Sequence, residues 1–311
     1  MDPKQQISIV IPLHNQGRLV PSLFNGLAAQ TFNDFDVVFI DDGSTDDTTE
    51  MVEHIKGETP FKFRLIRQEH QGTNVARNRG FCETDSALIL YMDGDVEPKP
   101  RLVEAHIEAH RTHPDENIAV LGSILQPDDA TPMMKFTSTG MWDSLSTEQT
   151  LSWRYFFTTN ISVKKEFLLN NGGFNEELRR FQDLEFGYRL GKAGLEIVYC
   201  SEAAGIHKHY AGFSELLEKT RQYGDALSQL LALHPEMADV LETENILPWE
   251  RQMAPALETI IFRVCVNRIS AVLLSCMGRV AEKPFPYLTA FIFRLLRRHY
   301  ILSALREIET K

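Results

Sequence analysis

Leu88-Ile-Leu-Tyr-Met-Asp-Gly-Asp95 runs five apolar residues straight into two acids separated by one glycine. A short apolar run without polar alternation is the pattern of a strand buried on both faces, as in a parallel sheet. Such a strand cannot hold carboxylates in its middle, but it presents them where it ends. Asp93 and Asp95 are therefore expected at the carboxyl edge of a sheet, where open α/β folds bind ligands. Gly94 is expected to let the backbone turn tightly, so that both acids face one point. Two hard oxygen ligands on a rigid edge suit a divalent cation that also holds substrate phosphates. The plainer alternative is an acidic surface turn. An EF-hand loop is a weaker rival, because Pro98 stands where that loop needs its glycine.

The flanking sequence repeats the same rhythm. Ile7-Ser-Ile-Val-Ile11 reads as a first strand stopped by Pro12, followed by the loop Pro12-Leu-His-Asn15. Val20, Leu23, Phe24, Leu27 and Ala28 then recur at helical spacing. Val37-Val-Phe-Ile40 is a second strand ending in Asp41-Asp-Gly-Ser-Thr-Asp46, where Ser44 and Asp47 have capping-box spacing. Phe63-Arg-Leu-Ile66 is a third strand, and Gly72 to Gly80 opens a helix. Strand and helix alternate up to Asp93, which predicts a mostly parallel α/β sheet with helices on both faces. Further on, a helix follows Pro100 and Ile118 to Leu125 is a strand. Residues 126–157 read as a long loop, Ile161-Ser-Val163 as an edge strand, and Ile197-Val-Tyr199 as the last strand. Asp183 to Lys192 reads as a helix stopped by Gly194. From Ser214 the pattern is helical, giving a catalytic domain over 1–213 and a helical C-terminal region over 214–311.

Composition narrows the function. The 311 residues are 43% hydrophobic, enough for a sizeable core, and the net charge of −11 argues against a nucleic-acid binder. Cys82, Cys200, Cys265 and Cys276 have no CxxC spacing, as expected of reduced thiols in a cytoplasmic protein. No signal peptide and no spanning helix are expected.

Several other residues stand where chemistry is expected. Asp42 ends the second strand on the same edge as Asp93, placed to accept hydrogen bonds from a base or ribose, or else to cap a helix. Arg77 and Arg79 lie between these acids in sequence, and arginine suits bidentate contact with a phosphate. Arg79 reads better as a solvated helix face. Asp183 and Glu185 are about 200° apart around a helix, so one faces the site and the other the structure. A carboxylate at a helix N-terminus stays ionised readily, which suits a general base. His207 and His209 follow the last strand. A histidine joining two carboxylates makes a mixed oxygen and nitrogen site that favours Mn²⁺ modestly over Mg²⁺.

Together these segments resemble the inverting glycosyltransferases of family 2, which have the GT-A fold. The matching pieces are Ser8 to Asn15, Ile40 to Asp46, Asn74 to Gly80, Asp93-Gly-Asp95, Gly172 to Glu176 and Gln182 to Leu190, in the family's order over residues 7 to 210. The resemblance implies that the first loop (Pro12, His14, Asn15) and Asp42 hold the base and ribose. It also implies that Arg77 helps hold the nucleotide and that Asp93 and Asp95 form the DxD motif, Asp93 with the nucleotide and Asp95 on Mn²⁺ or Mg²⁺. Asp183 matches the acid that activates the acceptor hydroxyl, and His207 fits the histidine of the metal or diphosphate better than His209. The implied donor is a nucleotide-diphosphate sugar, UDP-linked as is commonest in the family. The acceptor is a saccharide, a lipid-linked carrier or another hydroxyl. Gln182 departs from the family's usual glutamate, which puts acceptor contacts in doubt but not the base.

Two rivals compete. A nucleotidyltransferase would carry a glycine-rich loop after the first strand, but Pro12 to Gly17 has a single glycine. A non-catalytic nucleotide or partner-binding module would have lost acids such as Asp93, Asp95 or Asp183. In the tail, Leu288, Phe291, Ile292, Leu295 and Leu302 form an apolar stripe with Arg294, Arg297, Arg298 and Arg306 along the same segment. That stripe is expected either to lie on an anionic membrane at the cytoplasmic face or to pack on the protein or a second subunit.

Overall fold

The computed structural model describes residues 6–127, 142, 145–147, 149–208, 212–237 and 268–309, except 56, 58 and 283. The apolar runs become the strands of one sheet. β1 (Ile7–Leu13), β2 (Phe35–Asp42), β3 (Lys62–Gln68) and β4 (Leu88–Met92) lie parallel in the order β3-β2-β1-β4. Helices α1 (Val20–Ala28), α2 (Thr48–Ile55) and α3 (Thr73–Cys82) connect them. Nearly every residue of β1, β2 and β4 is buried, which explains why their sequences show no alternation. Pro12 does not stop β1 but sits within it, opposite Ile40. It is tolerated there because the pairing of β1 with β4 ends at Val10, where a missing N–H costs no ladder bond.

The sheet continues through β5 (Val96–Pro98), β6 (Ile118–Leu125), β7 (Thr150–Leu151), β8 (Asn160–Lys164) and β9 (Glu196–His207). Beyond β4 the order is β8-β6-β9-β5, with β7 paired to β9. The helices of this half are α4 (Leu102–Thr112), α5 (Lys165–Asn171) and α6 (Gln182–Lys192). Two expectations need correction. The strand around Ile161 is not at an edge: β8 runs antiparallel between β4 and β6, in the middle of the sheet. The last strand does not end at Tyr199. It bulges over residues 201–203 and resumes to His207, with Ala204 opposite Ser123 and Ile206 opposite Leu125.

β8 buries Asn160 and Ser162 fully, and α4 makes this tolerable. Asn160 gives its Nδ2 hydrogens to the carbonyls of Ala203 (2.7 Å) and Ser123 (3.2 Å), so its Oδ1 accepts from His106 Nε2 (2.9 Å). His106 Nδ1 must then accept from the Ser162 hydroxyl (2.8 Å), which itself accepts from His110 Nε2 (2.9 Å). Burial pushes His106 down to about 4 and His110 down to about 3, so both rings are neutral near pH 7.

The chain divides into two compact units, residues 1–125 with 145–209, and 126–144 with 210–311. The second contains α7 (Phe213–Arg221), α8 (Tyr223–Leu233), α9 (Arg268–Ala281) and α10 (Pro286–Glu309). Its core gathers Phe213, Leu217, Ala271, Ala290, Ile292, Phe293 and Leu296. The tail stripe is therefore not a free face: Ile292 and Leu295 are buried, and α10 packs against α7, α8 and α9. Leu288 is exposed, Phe291 is half-buried, and the side chain of Leu302 lies outside the described residues. Among the described residues no helix is long and apolar enough to cross a membrane.

Candidate active site

The carboxyl ends of β1, β2 and β4 converge on one edge, and the loops there carry most of the expected site residues. Asp93 follows Met92 directly, and its Oδ1 accepts a hydrogen bond from Arg77 Nη2 at 2.8 Å. Arg77 reaches it from α3 and is only 4% exposed. Its Nη1 lies 3.7 Å from Asp183 Oδ1, so one guanidinium bridges acids from β4 and α6. The Phe174 ring lies 5.6 Å from its guanidinium carbon. Arg77 Nε and Nη1 find no hydrogen-bond acceptor among the described residues.

Gly94 does not adopt a left-handed conformation. Its missing side chain matters instead for close approach, since a Cβ would lie 2.2 Å from Gln16 Oε1 and 2.5 Å from Leu13 Cδ2. The bend there turns the chain into β5, whose pairing with β9 sets Val96 opposite His207. Asp95 Oδ2 consequently lies 3.4 Å from His207 Nε2. Lys208 N donates to the Asp95 carbonyl at 2.7 Å and closes the corner. His209 lies outside the described residues.

Asp183 is in the first turn of α6. The preceding Phe181 has φ 57°, a left-handed conformation that is rare outside glycine. Thr158 donates to both Asp183 oxygens, from N to Oδ2 (3.1 Å) and from Oγ1 to Oδ1 (2.8 Å). Burial raises the Asp183 pKa. Arg77 and Thr158 oppose the rise, and Asp93 adds to it. Burial, which the position at a helix start does not reveal, thus works against ionisation here. A raised pKa makes the ionised carboxylate a stronger proton acceptor. Glu185 takes the structural role, buried and paired with Arg189 Nε at 2.7 Å.

Asp42 has quite different surroundings. Its Oδ1 accepts from Gln68 Nε2 (2.7 Å) and Gln71 N (2.9 Å). Its Oδ2 accepts from Gly72 N (2.8 Å) and lies 2.9 Å from His70 Nδ1. Burial pushes its pKa up, but the bonds from Gln71, Gln68 and Gly72, with His70, outweigh burial and hold it below the usual carboxylate value. The Asp42 carbonyl accepts from His14 Nδ1 (2.8 Å) and His70 Nδ1 (3.1 Å), and the two rings stack at 4.3 Å. Ligating atoms of His14, Asp42 and His70 lie within 4.8 Å of one another, a spacing open to a cation. However, both Nδ1 atoms are turned to the carbonyl, and the carboxylate's acceptor sites are taken. The cluster is a hydrogen-bonded clamp. Asn15 joins the same edge with φ 53°: its N donates to Ser44 Oγ (3.0 Å) and its Oδ1 accepts from Thr45 N (2.8 Å). Ahead of α2 the first helical N–H, that of Thr48, is met by Asp46 Oδ1 at 3.1 Å rather than by Ser44. Arg79 donates to the Arg67 carbonyl and takes no part in the site.

Sequence reasoning missed Thr158, His70, Gln68 and Gln71. Thr158 stands 25 residues from Asp183, beyond any local pattern. The signal for the others was Gly72, whose φ of 101° lets its N–H reach back to Asp42.

The family model for Glycosyl transferase family 2 matches residues 8–175. Glycosyltransferase AglE of Haloferax volcanii is 25% identical over 235 residues, covering 73% of this chain and 74% of that protein. Validoxylamine A glucosyltransferase of Streptomyces hygroscopicus is 27% identical over 248 residues, 68% of this chain but 58% of that longer protein. A mannosyltransferase from Pyrobaculum calidifontis, solved with GDP-Man and Mn²⁺, superposes with a TM-score of 0.61 at 17% identity, covering 99% of this chain and 88% of that one.

Proposed function

Because the chain belongs to glycosyl transferase family 2, we propose that it transfers a sugar from a UDP-linked donor to an acceptor hydroxyl with inversion at the anomeric carbon. The catalytic domain lies within residues 1–213, in the unit formed by 1–125 with 145–209. Pro12, His14 and Asn15 line the edge that receives the base and ribose, Asp42 braces that edge from within its clamp, and Arg77 and Asp93 face the diphosphate. The observation that carries the reading is the Arg77 bridge, which brings an acid of the donor edge and the candidate base to one guanidinium, 2.8 and 3.7 Å away.

A divalent cation fits Asp95 and His207. One carboxylate oxygen and one imidazole nitrogen 3.4 Å apart are near the roughly 3 Å between neighbouring ligands of an octahedral ion. Mn²⁺ in the mannosyltransferase complex supports this choice. When bound, Mn²⁺ or Mg²⁺ would stabilise charge on the leaving diphosphate. Asp183 accepts the proton of the acceptor hydroxyl as that oxygen attacks the anomeric carbon from the face opposite the leaving group. The bond to the diphosphate breaks as the new glycosidic bond forms. Gln182 lies beside Asp183 at the start of α6, where the acceptor must approach.

A panel of nucleotide sugars with Mn²⁺ tests the reading. A UDP-sugar should raise the melting temperature by mass action and be slowly hydrolysed to UDP. Stabilisation by a GDP-sugar alone would change the donor, and release of pyrophosphate would overturn the reaction.

A further inference from the structure

We infer that Thr158 is a positioning residue for the proton acceptor of this reaction, fixing the plane of the Asp183 carboxylate through both of its oxygens. The inference rests on the reading of Asp183 as the base. The backbone N–H of Thr158 addresses Oδ2 at 3.1 Å and its hydroxyl addresses Oδ1 at 2.8 Å. A carboxylate held at both oxygens cannot rotate without losing a bond at each end. The lone pairs left over are those turned away from Thr158, and these are the ones an acceptor hydroxyl can meet. Thr158 is itself 1% exposed, so water does not compete for its donors.

The chain around Thr158 makes it a reference point for the whole edge. The next residue, Thr159, accepts a hydrogen bond from Asp93 N at 3.4 Å through its carbonyl. Two residues beyond Thr158, β8 begins in the middle of the sheet. One short segment anchored in the core thus touches the acid of the donor edge and the base. A proton acceptor misplaced by about 1 Å costs on the order of 10²-fold in rate, so such anchoring has kinetic weight.

The hydroxyl can be tested apart from the packing. Thr158→Val keeps the shape and the backbone N–H but removes one donor. Thr158→Ser keeps the donor and removes a methyl. The rate read is hydrolysis of the UDP-sugar selected by the panel above, with water as acceptor, in the 311-residue chain with Mn²⁺. Thr158→Val should lower kcat about ten-fold or more with the donor KM unchanged, because a hydrogen bond to a charged group is lost. Thr158→Ser should stay within about three-fold of the parent, well short of that loss. Should the valine protein not fold, Thr158→Ala supplies a second hydroxyl-free variant. Equal kcat in the hydroxyl-free variant and the parent would overturn the inference, as would a serine variant as impaired as it. Asp183→Asn separates the two failures. Normal turnover there removes the base reading itself, whereas a dead Asp183→Asn beside an active Thr158→Val removes only the role of Thr158.

Discussion

Asp42 and Asp183 are both aspartates beside the same sheet edge, yet one is saturated and the other is not. Three donors from residues 68–72 hold the carboxylate of Asp42, the His70 ring lies beside it, and its pKa falls. Asp183 has Thr158 and a more distant arginine shared with Asp93, and burial carries its pKa up. The first arrangement stabilises a loop by using up the lone pairs of an anion. The second keeps proton affinity in reserve, which is what the proposed base needs. The contrast separates framework from chemistry more sharply than position in the fold does.

The largest expected effect breaks the contrast at its reactive side. Asp183→Asn keeps the shape but cannot accept a proton, so transfer should fall by about 10²–10⁴-fold while titration calorimetry shows unchanged UDP binding. Next is the corner between the two acids. Asp95→Asn should weaken UDP binding in Mn²⁺ at least about ten-fold without changing the circular dichroism spectrum. Equal UDP affinity with Mn²⁺ and with EDTA would sink the metal reading. On the saturated side, Asp42→Asn should act on stability first. It turns an anion with three donors into an amide, costing about 2 kcal/mol as a lower urea midpoint.

The smallest effect concerns pH and sharpens the comparison directly. Asp183, with its raised pKa, takes up a proton as pH falls while Asp42 is still ionised. Turnover should therefore be lost at a higher pH than donor binding, and calorimetry beside a rate profile measures the gap. The stability given by Asp42 has the opposite placement. Its folded pKa is depressed, so that contribution is present above its unfolded value near 3.8 and is lost only as pH falls below it.

The half of the sheet made by β1 to β4 is readable in the sequence because an apolar run forms the centre of each strand there. Val37 to Ile40 and Leu88 to Met92 are buried on both faces, and their acids mark where they end. The other half was harder for physical reasons. β8 contains Asn160 and Ser162, whose burial depends on histidines about 50 residues earlier on α4, so its central place had no local sign. β9 hides its second half behind the polar bulge at Ser201 and Glu202. In the site, Arg77, Asp93, Asp95, Asp183 and His207 were all nameable from residue type and motif order. The partner that holds Asp183 was not, since a threonine carries no mark of its target. The motif asparagines had a use that no spacing shows. Asn74 donates to the carbonyls of Asn175 (2.7 Å) and Leu178 (2.8 Å), and Asn78 to that of Phe174 (2.9 Å), tying two motifs together.

The sequence spacing of the two clusters has a consequence on the ribosome. The clamp on Asp42 is complete in the chain at Gly72, with every partner drawn from residues 14 to 72. The cluster on Asp183 needs residues 77 to 183, and the Asp95 corner needs His207. At about 5–20 residues per second, the Asp42 clamp leaves the ribosome on the order of ten seconds before the Asp95 corner can form. A nascent chain halted between those points carries the finished clamp on Asp42 without the groups that gather around Asp183 and Asp95.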